Sequence, residues 1–129
     1  MNIKKTFLII AFAMVTVIAL LYGVSPQWFG RTFLGLAELD ANIAHILRAV
    51  MGLYIALGGF WLYAAFHAPL RNVAILVAGL FAGGLVSGRF ISLMAEGVPS
   101  SSLLVFYILA ELALVPIAYW VYTREDEDQ

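Results

Sequence analysis

The chain reads as four long apolar runs separated by short polar breaks. Phe7 to Val24 carries no charged residue. Ile43 to Phe66 is interrupted only by His45 and Arg48, Val73 to Ala95 only by Arg89, and Leu103 to Thr123 only by Glu111. Crossing the hydrocarbon core of a bilayer takes about 20 mostly apolar residues in a helix, and each run is close to that length or beyond it. Backbone in lipid must satisfy its own hydrogen bonds, and a long continuous run does so by coiling into a helix. The period-two alternation of a membrane β-barrel strand is absent. The pattern predicts an all-α membrane protein. It is a bundle of four transmembrane helices over residues 5–24, 42–67, 72–95 and 102–123, in one domain covering 1–129.

The connections refine this outline. Residues 25–41 form the longest one, and they include Trp28, Phe29, Phe33, Leu34, Leu36 and Leu39. Such a segment is expected to lie along the membrane interface as a short amphipathic helix. Asp40 or Asn42 is placed to cap the helix that follows. His67 to Arg71 reads as a short turn, which makes the second and third helices antiparallel neighbours. Glu96 to Ser102 holds turn residues and a serine N-cap for the last helix. The first run follows Lys4 and Lys5 in the manner of a signal peptide. Its apolar stretch is longer than a signal core, however, and Pro26 directly follows the best small-x-small site, Gly23-Val24-Ser25, so it reads as a retained helix.

Composition supports a membrane class and removes others. Hydrophobic residues make up 64% and charged residues 12%, about half the charge that a soluble domain uses to face water. Seven Lys and Arg against eight Asp and Glu leave no basic excess for nucleic acid. Zero cysteines exclude disulfides, thiol catalysis and cysteine-held metals or clusters. Lys4, Lys5, Arg71 and Arg124 fall on one side of the membrane and Arg31 on the other. That asymmetry puts both termini in the cytoplasm. The acidic tail within 124–129 reads as a solvated end.

Small residues mark where helices touch in lipid. Gly79, Gly83, Gly84 and Gly88 on the third helix, with Gly52 and Gly59 on the second, are therefore the expected packing positions. A phosphate-cradling loop is excluded by context, because Gly83-Gly84 has no strand before it and no Lys-Ser/Thr after it. Pro116 inside the fourth helix removes a backbone bond and should kink it.

The most informative residues are those that lipid disfavours. Counted at about 1.5 Å per residue, Arg48 and Arg89 lie roughly 10 Å inside the outer face and Glu111 roughly 12 Å. Intramembrane charges usually face a bundle interior or a cavity. Asn42 and His45 share a stripe with Arg48, Ser92 shares one with Arg89, and Tyr107 one with Glu111. Together these seven residues predict an outward-opening polar pocket or an ion-pair clasp joining three helices. Two guanidiniums against one carboxylate leave a positive excess, which an anionic ligand would complete. His45 has no second histidine nearby, since His67 sits in the inner turn, so no metal set is expected.

The stretch Asn42-Ile-Ala-His-Ile-Leu-Arg48-Ala-Val-Met-Gly-Leu-Tyr54 has a familiar form. So do Gly83-Gly84-Leu-Val-Ser-Gly88-Arg89-Phe-Ile-Ser92, Gly97-Val-Pro99-Ser100 and Glu111-Leu-Ala-Leu-Val-Pro116. Together they resemble a bacterial family of small four-helix membrane proteins catalogued as a domain of unknown function (number 4345). The resemblance runs over about residues 5–123. It implies a multi-pass protein of the bacterial inner membrane and no particular activity. A likeness to small four-helix DoxX-like proteins is one of size and hydropathy alone, and no residue carries over.

The resulting expectation is a binding or accessory membrane protein whose outer-leaflet pocket holds the headgroup of an anionic lipid or amphiphile. The alternative is a structural subunit attached to a membrane-protein partner or to a second copy of itself. A small transporter or membrane enzyme comes third, because neither a nucleophile–base pair nor a cofactor motif is present and no catalytic residue can be named.

Overall fold

A computed structural model describes residues 2–126. Five helices follow one another: α1 Ile3–Gly23, α2 Pro26–Phe33, α3 Ala41–Ala65, α4 Ala68–Glu96 and α5 Ser102–Tyr122. Four of them are long and apolar enough to cross a membrane, and α2 is the short helix expected between the first two. The fold is therefore an all-helical, four-span bundle.

The largest departure from the expected boundaries is at α4. It starts at Ala68 rather than residue 72, with Pro69 in its first turn. Proline is tolerated there because the first amide groups of a helix have no internal partner. The turn between α3 and α4 thus shrinks to Phe66 and His67, and the His67 ring stacks on Tyr63 at 3.9 Å. α5 runs through Pro116 without a break in its helical assignment. Asp40 caps α3 by accepting from the Asn42 amide at 2.8 Å.

The layer at the end away from the termini is stitched by polar groups. Ser25 caps α2 through the Trp28 amide. Gly35 ends it with φ +70°, a left-handed conformation that costs glycine little, while the Leu36 amide turns back to the Gly30 carbonyl. The Gln27 side chain then pins the rest of the loop, donating to the Leu39 carbonyl at 2.9 Å and accepting from the Leu39 amide at 3.0 Å.

α1 is the centre of the bundle. Leu8, Val15 and Tyr22, two turns apart, are buried with Ala11 and Ala19 between them. Its closest neighbour is α3, and glycine makes that approach possible. A Cβ at Gly58 would stand 2.8 Å from Val15 Cγ1, and one at Gly23 would collide with Met51. α4 packs through Ala74, Ala78 and Ala82, all fully buried.

This corrects the expected packing set. Of the six glycines, only Gly79 meets a neighbour, Ala118 Cβ on α5 at 3.5 Å. Gly52, Gly59, Gly83, Gly84 and Gly88 all face open space. Small residues fall on both faces of these helices, and helical period alone does not say which face is inside.

The end that carries the termini holds a buried polar layer. Arg71 gives its Nε and Nη2 to the Ala65 carbonyl, at 3.0 and 2.7 Å, and its Nη1 to Asp126 at 3.0 Å. Asn2 donates to the same Asp126 oxygen at 2.7 Å, and its own oxygen caps α1. Lys4 bonds the Asn72 side chain and the Tyr122 carbonyl. Both termini are therefore at one end. Asp126 is no solvated tail residue, because the Arg71 charge gives a buried carboxylate its partner. Glu127 and Asp128 lie outside the described residues.

Candidate functional site

Near the other end, Arg89 on α4 meets Glu111 on α5. Arg89 Nε donates to Oε2 at 3.2 Å and Nη2 to Oε1 at 3.4 Å, a two-pronged pair. Helix direction explains the meeting. The antiparallel α4 and α5 touch at Gly79 and Ala118. From that level Arg89 is ten residues higher, roughly 15 Å, and Glu111 seven, roughly 10 Å. Side chains lean toward their own helix's N-terminus. Arg89 therefore leans down and Glu111 leans up, which closes the offset. The two side chains remain 25% and 15% exposed, so other groups can still reach the pair.

Three tyrosines surround it. The Tyr22 hydroxyl lies close enough to the Arg89 guanidinium to interact with it. The Tyr22 ring centroid is 6.1 Å from that of Tyr54 and 6.0 Å from that of Tyr107, the latter edge-on. Phe29 of α2 closes the layer from above with a perpendicular contact to Tyr22 at 4.9 Å. The Tyr107 hydroxyl is buried and has no hydrogen-bond partner among the described residues.

Below this layer lies a cavity of about 410 Å³ between α1 and α5. It follows α1 from Phe7 to Tyr22, a length of roughly 22 Å at helical rise. α3 closes its back through Tyr54 and Trp61, and α4 does so through Phe81 and Leu85. The two flanking helices are pinned at their ends. Lys4 reaches the Tyr122 carbonyl at one end, and the rings of Tyr22 and Tyr107 touch at the other. Between those pins α1 and α5 make few contacts. The walls are almost wholly apolar, and Glu111 is the one charged side chain that lines them. Trp61, 1% exposed, lines the cavity too, and its indole N–H has no partner among the described residues.

The chain matches the family described as Domain of unknown function (DUF4345) over residues 3–122. It belongs to that family. No curated protein and no solved structure matches it. The DUF4345 match covers every residue of the pair, the tyrosine layer and the cavity.

The bundle gathers only part of the expected site. Arg89, Glu111 and Tyr107 come together, whereas Asn42, His45 and Arg48 do not join them. α3 buries Ala44, Tyr54, Gly58, Trp61 and Ala65, and the three polar residues lie on exposed parts of its surface. Ser92 is exposed on α4. The clasp therefore joins two helices, not three. The residues that sequence reasoning missed are Tyr22, Tyr54 and Trp61. Aromatic residues in membrane helices read first as interface belts. The available signal was a tyrosine in each of three helices, with Tyr22 and Tyr107 toward the end away from the termini and Tyr54 near the middle of α3.

Proposed function

We propose that this DUF4345 protein binds a single-chain amphiphile within the membrane, with the apolar tail in the α1–α5 cavity and the polar head at the Arg89–Glu111 layer. The observation that carries this reading is the cavity. An apolar cavity of about 150 Å³ accommodates one benzene. At that ratio 410 Å³ corresponds to about 16 carbon atoms, the content of one acyl-length chain. The elongated shape fits such a chain, and a head at the Glu111 end of the cavity sits beside the Arg89–Glu111 pair and Tyr107. The protein so read resides in a bacterial inner membrane with both termini cytoplasmic, and the polar layer then falls in the outer leaflet.

Native mass spectrometry after mild detergent extraction tests the reading. The protein is expected to carry one single-chain lipid, and Ala110→Phe, which fills the cavity, is expected to release it while the unfolding temperature holds. Lipid retained at the wild-type level in Ala110→Phe would reject the cavity as its site.

A second reading, attachment of another transmembrane helix, is favoured by the outward face of α3. Asn42, His45, Ala49, Gly52, Ala56, Gly59 and Tyr63 alternate at three- and four-residue steps, and all are exposed. That is the spacing of a coiled-coil seam, built from the small residues that let membrane helices approach. Lipid-facing positions elsewhere are bulky, such as Ile10, Val17, Leu80 and Leu109. In this cysteine-free chain, Ala49→Cys and Ala56→Cys should form disulfide-linked dimers in membranes if the partner is a second copy. Monomer alone in both would remove that partner.

A further inference from the structure

We infer that the head of the cavity's occupant is uncharged and carries a hydroxyl, as in a long-chain alcohol or a monoacylglycerol; the inference rests on the amphiphile reading above. The charge at the site is the first ground. An anionic head would be expected if Arg48 and Arg89 together faced Glu111. The structure instead leaves Arg48 on the exposed surface of α3, and Arg89 spends two of its donors on Glu111. The remaining pair sums to zero. The charged side chain that lines the cavity is Glu111, a carboxylate. An anionic head would have to sit beside that carboxylate or pull Arg89 away from it, leaving one charge without its partner in a low-dielectric place. A cationic head meets the mirror-image cost at Arg89.

The second ground is the hydrogen-bonding chemistry that is left over. An ionised carboxylate offers about four acceptor positions, and Arg89 occupies two of those of Glu111. The buried Tyr107 hydroxyl has no partner among the described residues, and a phenol both donates and accepts. A ligand hydroxyl is the uncharged group that answers both. It donates to Glu111, which lines the cavity, and it offers the acceptor that the Tyr107 hydroxyl lacks once the Tyr107 ring turns toward the cavity it lines. A plain hydrocarbon end satisfies neither, and a buried hydroxyl without a partner is costly. Two other cations of the bundle are no alternative, because Arg71 and Lys4 are bonded within the layer at the opposite end.

Trp61 provides the reporter. Trp28 and Trp120 are 44% and 50% exposed, and replacing both with Phe leaves Trp61 as the single tryptophan beside the cavity. Chain-brominated probes of about 16 carbons, ending in an alcohol, a carboxylate or an amine, are then titrated into the detergent-solubilised full chain. Saturable quenching of Trp61 is expected, with the alcohol binding about tenfold or more tighter than either charged probe, the scale of one charge-assisted hydrogen bond. Glu111→Gln frees Arg89 and should raise carboxylate affinity about tenfold. Arg89→Gln frees Glu111 and should raise amine affinity instead, so either variant carries the test if the other fails to fold. A carboxylate or amine that binds the unaltered site as tightly as the alcohol overturns the uncharged head. So does an unchanged ratio in both variants. In those cases saturable quenching that Ala110→Phe abolishes would keep the amphiphile reading. No saturable quenching by any probe, or quenching indifferent to Ala110→Phe, would remove that reading as well.

Discussion

The two polar layers of the bundle use the same residue types to different ends. At the terminal end, Arg71 is 3% exposed and divides its donors between the Ala65 carbonyl and Asp126, and Asn2 adds a further bond to the same carboxylate. That layer ties α1, α3, α4 and the segment after α5 together. At the other end, Arg89 and Glu111 also pair, but they stay partly accessible and stand beside an apolar cavity with the unpartnered Tyr107 hydroxyl. A polar layer whose members bond one another from several elements rigidifies its surroundings. One that leaves donors and acceptors over beside open space is equipped to receive something else. The difference lies in what surrounds each arginine, since each has a carboxylate to itself.

The comparison is broken most forcefully at the terminal layer. Arg71→Leu strands the buried Asp126 carboxylate and the Ala65 carbonyl, so a loss of about 3–5 kcal/mol is expected. Thermal unfolding in detergent reads it, and a loss under about 1 kcal/mol would mean that the layer is not structural. Next comes the α1–α3 contact. Gly58→Leu drives a side chain into Val15 and Thr16, and overpacking of this kind costs about 1–3 kcal/mol. Gly83→Leu in the same assay should change little, because nothing stands near Gly83. Equal losses at the two glycines would contradict the assigned faces. Glu111→Gln should cost about 1 kcal/mol, well below Arg71→Leu, because the pair is partly exposed and the freed guanidinium can turn toward water or a ligand. A loss matching Arg71→Leu would make the Arg89–Glu111 pair a second structural lock. Arg48→Gln should leave unfolding unchanged, since its side chain is exposed on α3, and a clear destabilisation would return Arg48 to the clasp.

Much of this was legible residue by residue. Asp40 followed by an apolar run marks the start of α3, and the apolar content of residues 25–41 marks α2. Arg89 and Glu111 were visible as a pair because lipid makes an isolated charge costly, so two opposite charges at matching depth point to each other. Arg48 satisfied the same depth rule and was misplaced by it. Depth is set by counting along one helix, whereas the facing side depends on which neighbours that helix finds. The stripe of His45, Arg48, Gly52 and Gly59 is regular, and it points away from α1. The same ambiguity misassigned the glycines. α4 has an alanine face and a glycine face, and the alanine face won the interior. The Arg71–Asp126 pair left no local trace at all, because its members are 55 residues apart in the chain.

The sequence by itself determined the solvent, the number of crossings, the positions of the turns and the identity of the intramembrane charges. These depend on apolar run length and on the cost of charge in hydrocarbon, both properties of a segment taken alone. Only the tertiary structure decided which face of each helix is inside, that one arginine rather than two meets Glu111, and that α1 and α5 part between their pinned ends to leave a cavity. Those outcomes depend on how close two helices can come. In this chain that is governed by Gly23 of α1 against Met51 of α3, by Gly58 of α3 against Val15 of α1, and by Gly79 against Ala118, contacts between residues that no local pattern connects.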